Sequence, residues 1–503
     1  MLDILIVGAG FSGLSLALAA QRGGYRWHLL EQASSLGGTW RDNRYPGACC
    51  DVPSNLYSLS AMPNPEWTRL YPPQAEIEAY MNRCADAGGL RPGMSFNAAV
   101  RSARWLPQEQ AWEVHTADGG RHRARLLALG TGGLSRPRMP AVTDLDRFAG
   151  PLFHSAGWRA DVPLAGRRVG LIGTGASAIQ IVPAIADEVT ANGGRLLLFQ
   201  RTPAWIMPRR DHAISERRRE LYRRHPWRQR WNRSLTYALL EWRAWPFTRA
   251  PGLLQLASHE ALRHLQRQIP DAALRRQLRP DYTMGCKRVL LSDDFYPALL
   301  KPGVSLVNQA VVRATPEGVI TADGRSHALD VLIAASGFQV ADAGAPFEIT
   351  GAQGCTLDEA WGTRPQAHLG TMVQGFPNLF LMTGPNTGLG HNSMIVMIEA
   401  QTRFVQAALK ALRSGRIGRL EPTAQAQQRY NAQIQAALAQ TVWNRGGCRS
   451  WYLDADGHNH TLWPDFTFRF RQQLARIHWP DFETAPGHAV AAGPDFAARS
   501  ARR

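Results

Sequence analysis

Lysine is almost missing from this chain: three among 503 residues. The formal charge of +17 therefore rests on arginine, a permanently charged planar group that matches carboxylate and phosphate. The six cysteines, at 49, 50, 84, 286, 355 and 448, form no C-x-x-C pair and no zinc spacing, which excludes a zinc ribbon and a thioredoxin-like dithiol. Reduced thiols in a cytoplasmic protein are the expectation. Long apolar runs are lacking too. The best candidate, VGLIGTGASAIQIVPAIA at 169–186, is interrupted by three glycines and a proline and reads as strand, turn and helix rather than as a membrane span. MLDILIVGAG runs straight into a glycine motif, so no secretory signal is expected at the start. No low-complexity tract occurs.

What is present is an ordinary apolar fraction of 45% over a length that suggests two to four domains. The charge is concentrated. Residues 209–279 hold 17 arginines, no lysine and six acids, together with Trp227, Trp231, Trp242 and Trp245. This stretch reads as a helical insertion with a solvated arginine face, its tryptophans in a core rather than lining an apolar pocket. No nucleic-acid motif accompanies it, so no nucleic-acid partner is expected.

Residues 2–7, LDILIV, predict a buried strand, followed by GAGFSG, an apolar helix and a second strand ending in Glu31. Gly8, Gly10 and Gly13 fit a dinucleotide turn: the first for the bend, the second for backbone approach to a pyrophosphate, the third for close packing of helix on strand. The free N–H groups of the helix start favour that phosphate, and Glu31 stands where an acid accepts ribose hydroxyls. A second fingerprint, Gly173, Gly175 and Ala178, lies about 165 residues on and is the only duplication. Its following strand, RLLLFQR, ends in Gln200-Arg201-Thr202 with no acid, which suits a 2′-phosphate and hence NADPH, while Glu31 suits FAD. Residues 135–166, rich in Pro, Gly and Asp, read as a linker. The fold class expected is α/β, with two Rossmann-like domains and a helical insertion: 1–140 and 339–503 for FAD, 141–208 and 281–338 for NADPH, 209–280 inserted.

The segment GGTWRDNRYPGACCD, 37–51, follows the second strand. With Gly38-x-Trp40, Tyr45-Pro46-Gly47 and Asp51 it resembles a signature of the class B flavoprotein monooxygenases, and within them of the type I Baeyer–Villiger monooxygenases. FAGPLFHSAGW is similar to the family pattern F-x-G-x-x-x-H-[ST]-x-x-W through Phe148, Gly150, His154, Ser155 and Trp158. Ser155 and Arg159 depart from the stricter Baeyer–Villiger form toward the N- and S-oxidising enzymes; Trp158 does not. Lys287-Arg288 in GCKRVLL, AASGF at 334–338, GPNTGLGHNS at 384–393 and WNRGGCRSWYLD in the tail complete a resemblance that covers nearly the whole chain.

The resemblance implies that Arg288 is the active-site arginine, paired with Asp51. It implies FAD contacts from Gly8, Gly10, Phe11, Ser12, Gly13, Glu31, Gly38, Thr39, Trp40, Asp51, Tyr57, Val100 and Asn386. NADPH contacts would come from Gly173, Thr174, Gly175, Ala176, Ser177, Gln180, Arg201, Thr202, Lys287 and Arg288, and His154 would help to organise the domain link. Cys49 and Cys50 read as small apolar residues under the flavin loop, their backbone near the nicotinamide; Trp443 and Trp451 read as core or substrate wall. The implied reaction is NADPH- and O2-dependent insertion of oxygen beside a ketone carbonyl through a C4a-peroxyflavin, giving an ester or lactone. No metal is expected. Heteroatom oxidation, including of sulfides, a flavin reductase or oxidase, and a catalytically inert polyanion- or membrane-surface binder remain the competing classes.

Overall fold

The computed structural model describes residues 1–340, 344–448, 450–454 and 456–487. Strand β1 (Leu2–Val7) is an apolar run buried over its last four residues, and it lies between two parallel neighbours, β2 (Trp27–Leu30) and β6 (Arg121–Leu129). Such double-sided burial is why these strands read as continuous hydrophobic runs. The intervening helix α1 (Phe11–Arg22) is equally apolar, with nine of its twelve residues buried. The sheet extends through β3 (Met94–Ser95) on one side. On the other, β4 (Val100–Leu106) and β5 (Ala111–Thr116) join β6 as an antiparallel unit. Short helix α2 (Thr39–Asp42) and helix α3 (Gln74–Ala87) lie between β2 and β3.

A second sheet is wholly parallel. β7 (Leu152–His154) is its edge, and β8 (Arg168–Ile172), helix α4 (Ala176–Thr190) and β9 (Arg195–Phe199) make its βαβ unit. The stretch read as a linker thus contributes a strand: Ala334 pairs with His154 in register. A two-residue strand β10 (Ile206–Met207) leads into helices α5 (Glu216–Arg224), α6 (Pro226–Trp242), α7 (Ala244–Thr248), α8 (Leu254–Gln268) and α9 (Ala272–Leu278). The chain returns through β11 (Leu290–Leu291), paired with β10, then helix α10 (Phe295–Ala298) and β12 (Val304–Val307) on β9. A three-stranded antiparallel flap, β13 (Val311–Thr315), β14 (Gly318–Thr321) and β15 (Ser326–Ala328), precedes β16 (Val331–Ala334), which completes the order β12-β9-β8-β16-β7.

Beyond residue 343 the chain rejoins the first sheet: β17 (Glu348–Thr350) pairs with β4 and β18 (Leu379–Leu381) with β6, with α11 (Leu357–Trp361) between them. Helix α12 (Met394–Arg413) packs on α1, where Ser15 and Thr402 hydroxyls meet at 2.9 Å. The two passages between sheets run side by side. Arg138 N–H donates to Gly337, Gln339 N–H to Arg136, and Ser336 Oγ to Arg138. The chain is an α/β protein of two Rossmann-like sheets, each with its own apolar core. Among the described residues no helix is long and apolar enough to cross a membrane.

Candidate active site

The first glycine turn divides into positions the protein itself demands and one it does not. A Cβ on Gly13 would stand 1.9 Å from the Gly8 carbonyl oxygen, so only glycine lets α1 approach β1. Gly8 has φ +99°, and a Cβ there would meet the Gly130 carbonyl at 2.7 Å. Gly10 differs: its backbone is ordinary and a Cβ would touch nothing nearer than Gly38 Cα at 3.9 Å. Space left open at a helix N-terminus is what a dinucleotide pyrophosphate requires. Phe11 and Ser12 are buried behind this turn. Glu31 is buried too, accepting from Ala9 N–H at 2.7 Å, Ala33 N–H at 2.9 Å and Arg41 Nη1 at 3.0 Å. Arg41 is a partner the sequence reading missed, since a loop arginine carries no signal of the buried carboxylate it serves.

The 37–51 loop faces two ways. Gly38 backs onto Gly10, with its Cβ position 3.1 Å from Gly10 Cα, and has φ +52°. Thr39 is exposed beside it, and Trp40 Nε1 donates to Tyr57 Oη at 2.9 Å with the rings edge-on. Gly47 instead packs on α4: a Cβ there would meet the Gln180 carbonyl at 2.5 Å. The Gln180 amide is committed to the same loop. Its Oε1 accepts from Tyr45 Oη (3.1 Å) and Cys49 N–H (3.4 Å), and its Nε2 donates to the Cys49 carbonyl (3.1 Å). The loop therefore joins the two sheets, and burial pushes the thiols of Cys49 and Cys50 above the ordinary range.

In the second turn, Gly173 (φ +121°) lies against the Ala335 carbonyl, and Ala178 is fully buried at the third position of the fingerprint. Gly175 caps α4 and has nothing within 4 Å of its Cβ position, so this cradle is open like that of Gly10. Ala176 and Ser177 begin the helix, and Thr174 Oγ1 donates to the Thr202 carbonyl at 2.8 Å. Gln200 is buried on Gln277 and Asn308. Arg201 is exposed, and Lys287 Nζ sits 4.9 Å over the Tyr282 ring. Burial, then the Arg201 charge, pulls the Lys287 pKa below its ordinary value. Two cations held close at the strand end suit a phosphate.

Arg288 follows directly. Its Nε and Nη2 both donate to Asp51 Oδ2, at 2.9 and 2.6 Å, which leaves Nη1 without a hydrogen-bond partner among the described residues. The neighbouring carboxylate holds the guanidinium pKa above its ordinary value. Buried Tyr452 lies within electrostatic reach of both groups, and burial pushes its phenol up to about 12. The expectation of reduced cysteines is overturned here. Cys286, adjacent to Lys287, is disulfide-bonded to Cys448 with Cα atoms 6.1 Å apart. The partners lie 162 residues apart, and no spacing rule anticipates a pair that only the fold brings together. Cys49, Cys50, Cys84 and Cys355 are free.

Other expected residues lie further from this centre. Asn386 is buried with its Nδ2 donating to the carbonyls of Asn459 (2.7 Å) and Leu462 (3.1 Å), so its amide holds the tail. Val100 begins β4, after a segment whose backbone pairs with Glu31. His154 Nδ1 accepts from Ala156 N–H at 3.1 Å, while its buried Nε2 has no hydrogen-bond partner among the described residues; burial lowers its pKa. Phe148 is buried behind the second sheet, Gly150 abuts the Asp330 carbonyl, Ser155 is buried and Trp158 packs edge-on to Phe153. Trp443 is core, stacked on Phe247, whereas Trp451 is partly exposed. The insertion's tryptophans are not core. Trp227, Trp231 and Trp242 on α6 and Trp245 on α7 are 46–72% exposed, while α6 turns Gln229 and Arg233 to the protein.

Residues 6–72 match the model of an NAD(P)-binding Rossmann-like domain, and 66–209 that of L-lysine 6-monooxygenase/L-ornithine 5-monooxygenase. Over 93% of its length the chain is 43% identical to a Baeyer–Villiger monooxygenase of Pseudomonas aeruginosa, covering 88% of that protein. It is 44% identical to a Baeyer–Villiger monooxygenase of Streptomyces coelicolor over 95% of this chain and 92% of the relative. The chain belongs to the Baeyer–Villiger monooxygenases. Among solved structures, this monooxygenase superposes with a TM-score of 0.85 and 26% identity on cyclohexanone monooxygenase from Rhodococcus sp. Phi1 bound to NADP+, covering 97% of this chain and 99% of that one. An oxidized steroid monooxygenase bound to NADP gives 0.84 and 29%, with the same coverage.

Proposed function

We propose that this monooxygenase uses NADPH and O2 to insert one oxygen atom beside a ketone carbonyl, giving an ester or lactone, with FAD held at the first glycine turn. The observation that carries the reading is the Arg288–Asp51 pair, placed where a loop backed on Gly10 meets the strand that follows Lys287. Gly8, Gly10, Gly13 and Glu31 hold FAD, which when bound supplies the electron relay and the activation of oxygen. The open cradle at Gly175 takes the NADPH pyrophosphate, and Arg201, Thr202 and Lys287 its 2′-phosphate.

Attack on a carbonyl carbon builds negative charge on oxygen. Arg288 keeps one nitrogen free of protein partners for that charge and needs no reorganisation to meet it, a contribution of about 3–4 kcal/mol in comparable oxyanion sites. Asp51 is a positioning residue: it fixes the guanidinium and keeps it charged. The buried phenol of Tyr452 stays protonated near neutrality beside the pair. A cleft of about 490 Å³, lined by Tyr45, Cys49, Tyr71, Arg209 and Asp211, opens beside the 37–51 loop.

Heteroatom oxidation is the second reading, favoured by the match of 66–209 to an amine-hydroxylating model and by Ser155 and Arg159. Arg159 is turned to the surface, ion-paired with Asp161, and takes no part in the site. The purified chain is expected to be yellow and to consume NADPH with linear, cyclic or aryl ketones, each product gaining one oxygen atom by mass. Stoichiometric hydrogen peroxide with no oxygenated product would make it an oxidase; oxygenation of thioethers or amines with ketones untouched would establish the second reading.

A further inference from the structure

Helix α6 is amphipathic in the reverse sense. Toward the protein it presents Gln229, Asn232, Arg233 and Glu241, with Leu240 and Tyr237 the apolar contacts of that face. Gln229 Nε2 donates to Asn55 Oδ1 at 2.9 Å and the Asn64 carbonyl at 2.6 Å, and Asn232 accepts from Asn55 Nδ2 at 2.8 Å. Arg233 Nη1 donates to the carbonyls of Asn55, Leu56 and Ser58, and its Nη2 pairs with Glu399 at 3.2 Å. The buried Glu241 carboxylate accepts from Asn392 Nδ2, Thr467 Oγ1 and Phe468 N–H. These polar contacts anchor the helix and fix its rotation.

Toward solvent it presents Trp227, Trp231, Leu235, Leu239 and Trp242, which are 60, 69, 50, 62 and 72% exposed. Steps of four, four, four and three residues put all five on one stripe, about 22 Å long at the helical rise, opposite the polar face. Exposed Trp245, Leu253 and Leu256 follow in the next turns. Single exposed apolar side chains are ordinary, but a contiguous patch of this size marks an interaction surface.

The rim is cationic. At about 100° per residue, Arg228 and Arg243 fall along one edge of the stripe and Arg230 along the other. All three are exposed and form no salt bridge among the described residues, whereas Arg223 and Arg224 on α5 are neutralised by Glu66, Glu216 and Glu220. The Arg228 guanidinium lies 5.1 Å over the Trp227 ring. The one acid of α6, Glu241, is turned inward.

We propose that this face of α6 docks the enzyme peripherally on an anionic lipid surface. Tryptophan and leucine enter the boundary between headgroups and acyl chains while the flanking arginines meet the headgroup phosphates, the arrangement of a helix lying in the plane of an interface. The charge argues against a second copy of the chain. A two-fold contact through the stripe brings two rims of unpaired arginines together with no acid between them. Nucleic acid is disfavoured as well, because the centre of the face is aliphatic and indole rather than cationic.

The test is flotation of the full-length holoenzyme with phosphatidylcholine vesicles and with vesicles containing about 30% phosphatidylglycerol, at about 0.15 M and 1 M salt. Anionic vesicles are expected to carry the protein at least about tenfold better at the lower salt. Trp231→Ser with Trp242→Ser should reduce binding to them by about tenfold or more at either salt. Arg228→Gln with Arg230→Gln and Arg243→Gln should remove the preference for anionic lipid. Both variants should keep the parent's thermal melt and NADPH oxidation. The proposal is overturned by absence of binding to either vesicle, or by equal flotation of parent and tryptophan variant. It is also overturned by a dimer in light scattering that this variant converts to monomer, or by retention on duplex DNA without vesicle binding.

Discussion

At the scale of single residues, the two open glycines are the clearest guide to what the protein holds. Gly13 and Gly10 look alike in sequence, yet only Gly13 is imposed by the chain's own packing. Gly13→Ala is expected to prevent stable folding, whereas Gly175→Ala should fold with a normal melt and raise the KM for NADPH at least about tenfold, through lost backbone approach to the pyrophosphate. Arg288→Ala should still allow NADPH to reduce the flavin, while ester formation falls about a hundredfold or more. Asp51→Ala should fall less, since the cation remains but is unplaced; rapid-scan absorbance with product mass separates the two steps. For Lys287 the sign is set by its lowered pKa. It loses its proton earlier than an ordinary lysine as pH rises, and with it the attraction for a 2′-phosphate. The kcat/KM for NADPH, which reports the free enzyme, should therefore decline on the alkaline side at a pH below the ordinary lysine value. Lys287→Met should abolish that limb and leave turnover of NADH unchanged. Residue identity was a poorer guide to Gln180 and Asn386. Their amides are used on partners 131 and 73 residues away in sequence, and no local pattern encodes such a bond.

At the scale of elements, the 37–51 loop carries more than its motif declares. One half backs the first glycine turn and the other packs on α4, so a single insertion sets the distance between two cofactor turns. The disulfide is a second element-scale constraint. It fastens the segment bearing Lys287 and Arg288, just before β11, to the tail loop, where Thr283 N–H also donates to Gly446. In the chain-entropy account, closing a loop of this length stabilises by roughly 5 kcal/mol. Cys448→Ser is thus expected to lower the melting temperature by several degrees. It should also speed hydrogen exchange at 446–448 and 450–454 and lower ester yield more than flavin reduction. Exchange mass spectrometry and product yield check both. The helical content of the insertion follows from composition, but the direction in which its tryptophans face does not. An apolar i, i+4 stripe is ordinarily read as inward, and here Gln229, Arg233 and Glu241 find better partners inside.

At the scale of the molecule, two sheets are joined by a pair of antiparallel passages whose backbones bond to each other near 136–139 and 336–339. His154 and Phe338 meet edge-on beside them, 5.6 Å between ring centres. The stability of the whole should fall in mild acid. Burial lowers the pKa of His391 to about 3 and of His368 to about 4. Both stay neutral in the fold but take up a proton near pH 6.5 once unfolded. Their contribution is complete above that value and is lost as pH falls from about 6.5 toward 4. His391→Gln with His368→Gln should flatten the dependence of melting temperature on pH across that window, as calorimetry can show.

The chain's own letters determined both nucleotide turns, the order of the βαβ units, and the choice of an acid at one strand end and an arginine at the other. These are local matters, fixed by side-chain period, by the sterics of glycine and by charge type. The pairing of Asp51 with Arg288 came from the family resemblance alone. Only the tertiary structure decided that Cys286 meets Cys448, that Gln180 bonds a loop of the other sheet, and that the arginine-rich helix turns its tryptophans outward. Each depends on which distant groups the fold brings within a few ångströms, and a buried polar group takes whichever partner satisfies it, however far away in the sequence that partner lies.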